Sequence, residues 1–189
     1  MTGQEPVITL NAPAECSRRD LDRFRQMVHE AGEVQAAGFE DRIGRAEILT
    51  FLRLGGAIIG VGALKKPSRE YSRGVFRSAR AKKTADEFGL ELGWVVVESA
   101  HRGHSYSRRI VEALVAHASG QKIYATSVTM RIAMHKVLNG CSFDRDGVEW
   151  QSKAPPQRAF VFIRSYRSFG LNAVVSNSCS GVQRSADHC

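Results

Sequence analysis

The spacing of apolar positions changes repeatedly along the chain, and each change marks a predicted element. Val7 to Leu10 is a short apolar run that predicts a first strand. Leu21, Phe24, Val28 and Ala31 then recur at helical spacing, with Ser17 placed as N-cap and Asp20 in the first turn. Gly32 ends that helix, and the mixed segment from Glu33 to Arg45 predicts a second short helix with a loop. Two apolar runs, Ala46 to Leu54 and Ala57 to Leu64, flank Gly55-Gly56, a dipeptide that signals a hairpin. Gly60 and Gly62 interrupt the second run and predict a bulge or a close contact. Pro67 and Ser68 start a helix in which Arg69, Arg73, Arg77 and Arg80 share one face. Tyr71, Val75 and Ala79 share another face, beside Phe76.

The stretch from Glu91 to Gly120 organises the rest. Glu91 to Glu98 is β-branched and aromatic-bearing and predicts a strand. Ser99 to Ser107 is a polar loop, and Ile110, Val111, Leu114 and Val115 then give a helix starting at Arg108. Lys122 to Val128 predicts another strand and Met130 to Leu138 another helix. Gly147 to Ser152 and Ala159 to Ser165 read as the last two strands, separated by Ala154-Pro155-Pro156-Gln157. Beyond Arg167 the chain turns to Ser, Asn and Gly, so residues 1–167 are expected to form one domain and 168–189 a flexible tail.

Composition narrows this picture. A chain of 189 residues, 43% of them hydrophobic, suffices for one well-buried domain. No run of 18 apolar residues exists, so no membrane partner is expected, and Met1 to Pro6 lacks a signal-peptide core. Cys16, Cys141, Cys179 and Cys189 are scattered without ligand-like spacing. Neither a metal site nor a disulfide framework is expected, and a cytoplasmic location fits. The formal net charge of +8 favours anionic partners.

A polar loop that feeds a helix leaves backbone N–H groups aimed at one point, where the helix dipole also favours an anion. Arg102, Arg108 and Arg109 add full charges there. The stretch resembles motif A of the GNAT N-acetyltransferase family, whose pyrophosphate loop reads Arg/Gln-x-x-Gly-x-Gly/Ala. The matching positions are Arg102, Gly103, His104, Ser105, Tyr106 and Ser107. Ser105 and Ser107 stand where glycine is usual, each adding a Cβ near the phosphate. The resemblance runs from about Val7 to Ser165 and is strongest from Glu91 to Val115. It implies an α/β (α+β) domain of the GNAT acyl-CoA N-acyltransferase fold, with a central mixed, mostly antiparallel sheet flanked by helices. It also implies direct acetyl transfer from acetyl-CoA, an anionic cosubstrate, to an amine. A macromolecular acceptor (a protein amine or an aminoacyl-tRNA) and a non-catalytic acyl-CoA-binding regulatory module are the alternatives.

Residue by residue, the resemblance assigns the backbone of Val95, Val96 and Val97 to the pantetheine arm, and Arg102 to Ser107 with Arg108 to the pyrophosphate. Glu91 takes the place of a glutamate that acts as general base through water. A free glutamate, with a pKa of about 4.3, is a weak base for an ammonium near 10.4, so burial or a water relay is needed. The tyrosine that commonly protonates the leaving thiolate is replaced by Leu138, an early asparagine by Arg131, and a Gly-Phe pair by Ser142-Phe143. His135 is then the alternative acid–base group, with His101 and His104 in the loop. A thiol with a pKa near 8.5 can also leave as the thiolate without an acid. The basic helix reads as a solvated face, or as a site for an anionic acceptor, an RNA backbone or the coenzyme's ribose phosphate. No aromatic–basic interleaving favours nucleic acid as a partner. Glu33, Glu40, Asp41, Asp144, Asp146 and Glu149 are candidate rim acids for a cationic amine, and a homodimer is possible.

Overall fold

The computed structural model describes residues 4–32, 34, 37–152 and 157–165; the predicted tail, the domain limit at 167, Glu33 and Ala154 to Pro156 lie outside them. Seven strands, β1 (Val7–Asn11), β2 (Ile48–Leu54), β3 (Ala57–Lys65), β4 (Leu90–Val97), β5 (Ile123–Val128), β6 (Asp144–Gln151) and β7 (Arg158–Arg164), form one sheet. Their order is β1-β2-β3-β4-β5-β7-β6, and only β4 and β5 pair in parallel. The mixed, mostly antiparallel sheet is as expected.

Local chemistry explains most of the boundaries. Ser17 caps α1 (Arg18–Glu30) by accepting from the Asp20 amide, and Ser68 caps α3 (Arg69–Ser78) by accepting from Tyr71. Gly55 and Gly56 both have positive φ, the requirement of a tight two-residue hairpin turn. Short α2 (Phe39–Gly44) follows α1. Two helices begin away from their expected starts. α4 (Tyr106–His117) opens two residues earlier, because Ser105 in a left-handed conformation turns the chain into it. α5 (Ile132–Gly140) opens later, after an irregular Arg131. β6 likewise starts at Asp144, paired to Ile163.

Helices cover both faces. One core packs Ile110, Val111 and Leu114 of α4 and Leu138 of α5 against Leu52, Leu92, Ala125 and Phe162. The opposite face carries two cores. Phe24, Met27 and Val28 of α1 and Phe39 and Ile43 of α2 pack on Leu49, Phe51, Val61 and Ala63. Val75, Phe76 and Ala79 of α3 pack on Tyr124 and Val161. Gly62 is the close contact that its sequence suggested. A Cβ there would lie 2.6 Å from Ile110 and 3.2 Å from Leu114, so its absence lets α4 settle onto β3. Tyr71 departs from the expected apolar face of α3. The residue is 48% exposed and belongs to neither core on that face.

Candidate active site

The site is built on an irregularity in β4. Val61 pairs with Val96 and Ala63 with Gly93, so Trp94 and Val95 together oppose Gly62. Trp94 has a φ of 54°, which only a bulge makes tolerable for a bulky residue. On its other side β4 pairs with β5 only from Leu90 to Leu92, opposite Ile123 to Ala125. From Gly93 onward the two strands part, and among the described residues the β5-facing edge of β4 at Val95, Val96 and Val97 carries no strand partner. An unpaired strand edge is a template for another extended chain.

At the point of parting, Glu91 faces the side of the sheet covered by α1, α2 and α3. It is 1% exposed. Its Oε1 accepts from Lys65 Nζ at 2.8 Å and from Thr126 Oγ1 at 3.0 Å. Tyr124 is a further side-chain hydrogen-bond neighbour of the carboxylate. Gly93 makes the ion pair possible, because a Cβ there would meet Lys65 Cε at 2.8 Å. Lys65 lies across β4 with its ammonium 5.3 Å from the centre of the Trp94 ring. Tyr71 turns its hydroxyl inward to Thr126, and the charge of Glu91, then burial, raises its pKa far above the usual phenol value. Burial, then Glu91, does the same to Tyr124, whose hydroxyl lies 3.0 Å from Ser72 Oγ. A buried carboxylate with one charge partner and two neutral phenols around it is a compensated but tightly constrained anion. Of this cluster only Glu91 was legible in advance. Lys65, Thr126, Tyr71 and Tyr124 come from three other elements, and only tertiary structure brings them together.

The loop after β4 leaves a second feature at the far end of the strand. A short 3-10 turn, Ser99–His101, precedes Gly103 at φ 87° and Ser105 at φ 58°. The first helical bond of α4 runs from the Arg109 amide to the Ser105 carbonyl at 3.1 Å. Among the described residues, no acceptor engages the amides of Gly103, His104, Ser105, Tyr106, Ser107 and Arg108. The expected charges are more occupied than the sequence implied. Arg102 Nε donates to the Val97 carbonyl at 3.3 Å, Arg108 to Glu112 at 2.7 Å, and Arg109 to the Pro6 carbonyl at 3.0 Å. His104 stacks on Tyr106, with ring centres 5.4 Å apart, and His101 lies 3.7 Å from Glu98.

No protein-family model and no curated protein matches this sequence. Solved structures do match. An acyl-CoA N-acyltransferase from Pseudomonas aeruginosa superposes with a TM-score of 0.62 at 13% identity, over 85% of this chain and 100% of that one. A GNAT family acetyltransferase from Streptococcus agalactiae 2603 gives 0.62 at 12%, over 85% and 96%. Arabidopsis thaliana NAA60 in complex with acetyl-CoA gives 0.59 at 13%, over 85% and 100%. The chain has the GNAT acyl-CoA N-acyltransferase fold.

Two of the departures from the usual motif share a backbone conformation. Ser105 and Ser142 stand where glycine is usual, and both adopt left-handed backbone, with φ of 58° and 64°. Ser142 ends α5, with the Phe143 amide reaching back to the Leu138 carbonyl at 3.0 Å. Ser107 is already inside α4 and needs no special conformation. Leu138, at the tyrosine position, is fully packed in the core. Arg131 reaches across to the Ala31 carbonyl at 3.4 Å. His135 places Nε2 3.0 Å from the Val128 carbonyl and packs on Phe160 and Phe162. Those phenylalanines belong to the α4–α5 side of the sheet, so Glu91 and His135 lie on opposite faces. Of the rim acids, Asp146 is 6% exposed and serves the fold, Glu40 pairs with Arg25, and Glu149 pairs with Arg158.

Proposed function

We propose that this chain transfers the acetyl group of acetyl-CoA directly to an amine in the cleft between β4 and β5. The observation that carries this reading is the parting of the strands, with Glu91 on one face and the open amides of Gly103 to Arg108 at the end. The residues present fit the cosubstrate. The free edge at Val95 to Val97 suits the amides of a pantetheine arm, and six unengaged N–H groups at a helix start suit a pyrophosphate. Arg102 and Arg108 supply charge beside them, although both are tethered by other bonds.

Glu91 then serves as the base. Lys65 and Thr126 fix Oε1, and the carboxylate takes the ammonium proton through a water. The neutral amine attacks the thioester carbonyl, an N–H at the free edge of β4 stabilises the oxyanion, and the C–S bond breaks. The thiol's low pKa lets the thiolate depart. His135 donates Nε2–H to the Val128 carbonyl on the other face, so it would protonate the thiolate from Nδ1 of its imidazolium form. Glu91→Gln should lower the rate of acetyl transfer by 10²-fold or more, the ordinary range for a lost general base, while leaving coenzyme affinity within about twofold. An unchanged rate for this variant would remove Glu91 from the chemistry.

A further inference from the structure

The C-terminal end of α3 and the loop after it form a second feature that acetyl transfer does not use. Arg73, Arg77, Arg80, Lys83 and Asp86 line a cavity of about 290 Å³ there. Arg73 is neutralised by a two-pronged pair with Asp86, at 3.0 Å for each bond, and Glu87 pairs with Lys122 at 2.7 Å. Arg77, Arg80, Lys82 and Lys83 are exposed and make no ion pair or side-chain hydrogen bond among the described residues. Asp86 and Glu87 are thus engaged by Arg73 and Lys122, and these four cations hold no acid in a direct pair among the described residues.

The backbone beneath these cations is fixed. Arg80 holds a φ of 49°, a conformation that disfavours every residue except glycine and a few polar ones. Asp146, buried in β6, accepts from the amides of Lys82 and Lys83, both at 2.9 Å. Val148 donates to the Ala79 carbonyl at 2.7 Å. Glycine at 147, with φ 80°, permits this approach, because a Cβ would stand 2.1 Å from that carbonyl oxygen. Every loop amide from Arg80 to Thr84 is thus satisfied internally. Any ligand would meet side chains on a rigid platform, and an arginine occupies a position where glycine would be less strained.

Three observations select the ligand. Arg69, Arg73 and Arg77 space cations along about 12 Å of α3, and Arg80 follows in the loop, which suits a repeated anion better than a single phosphate. The cavity is lined by no exposed aromatic ring (Phe76 is 4% exposed), so stacking on single-stranded bases is absent from it. It also lies near the N-terminal end of β4, whereas the candidate pyrophosphate loop follows the other end, about 23 Å away along the strand. We propose that this surface binds the phosphodiester backbone of double-stranded nucleic acid, without base readout.

Fluorescence anisotropy with labelled 20-base-pair RNA and DNA duplexes across a salt series tests this. Four phosphate contacts predict a slope of log K against log salt of about −3 to −4. Arg80→Gly should reduce the slope by about one and weaken binding several-fold, while the melting temperature holds or rises. The double variant R77A/K83A should reduce the slope by about two. Preference for either duplex supports the proposal and names the source. Lack of binding at 50 mM salt overturns it, as does unchanged binding in Arg80→Gly. Equal affinity for polyglutamate, or displacement by stoichiometric pyrophosphate or coenzyme A, would overturn it too.

Discussion

Replacing Ser105 by glycine separates backbone strain from ligand recognition in the candidate phosphate loop. Serine at a φ of 58° sits where a Cβ crowds the following carbonyl, at a cost of about 1–2 kcal/mol. Glycine removes that cost but loses about 0.5–1 kcal/mol of backbone entropy on folding. The difference is a gain of about 0.5–1 kcal/mol, or about 1–4 °C in melting temperature for a domain of this size. The Ser105 side chain makes no capping hydrogen bond, so nothing else is lost. Coenzyme A affinity should hold or improve, because the amides at the start of α4 stay in place. Ser105→Val should do the reverse and destabilise by more than about 1 kcal/mol, since a β-branched residue tolerates this conformation poorly. Denaturant unfolding and calorimetric titration of coenzyme A into both variants read the two effects separately. A destabilised Ser105→Gly would refute the strain argument. Full-strength coenzyme binding in Ser105→Val would refute the placement of the phosphates at these amides.

Other perturbations test other parts of the account. Lys65→Met should destabilise by about 3–5 kcal/mol, the cost of leaving a buried carboxylate unpaired, and the double variant with Glu91→Gln should recover much of that loss in urea unfolding. Gly147→Ala should cost about 3 kcal/mol, because its Cβ would collide with the Ala79 carbonyl at a positive φ; a melting temperature within 2 °C of the parent's would contradict the packing. Tyr71 and Tyr124 have raised pKa values, so the folded state favours the neutral phenol. Their contribution is complete below the unfolded value of about 10 and is lost as pH rises through the folded values. Stability should therefore hold up to about pH 10 and fall above it, less steeply in Tyr124→Phe; a flat alkaline limb would refute the buried Tyr124 phenol.

The elements most legible in the sequence are those set by local chemistry. Ser17 and Ser68 accept from amides three residues on, and Gly55-Gly56 forces the turn it signals, so these ends fall where expected. The strand–loop–helix at Glu91 to Gly120 was legible for the same reason. Sequence spacing missed the start of α4, because Ser105 caps it by backbone conformation rather than by a side-chain bond. Gly62 hinted at a bulge or a close contact from its place in β3, but nothing in the β4 sequence places the extra residue at Trp94, where the β3–β4 register slips opposite that glycine. Asp146 looked like a rim acid but is buried under the loop it holds, a pairing of residues more than sixty apart. Glu91 was found by its place in the strand, whereas its ion pair with Lys65 depends on the β3–β4 register and on the missing side chain of Gly93.

The central claim is tested most directly by following free thiol when acetyl-CoA is mixed with the protein and a panel of primary amines and peptides. The account predicts thiol release that requires an amine, matches the acetylated amide formed mole for mole, and falls at least 10²-fold in Glu91→Gln. Coenzyme A binding with no amine-dependent thiol release from any acceptor would contradict it and leave an acyl-CoA-binding module.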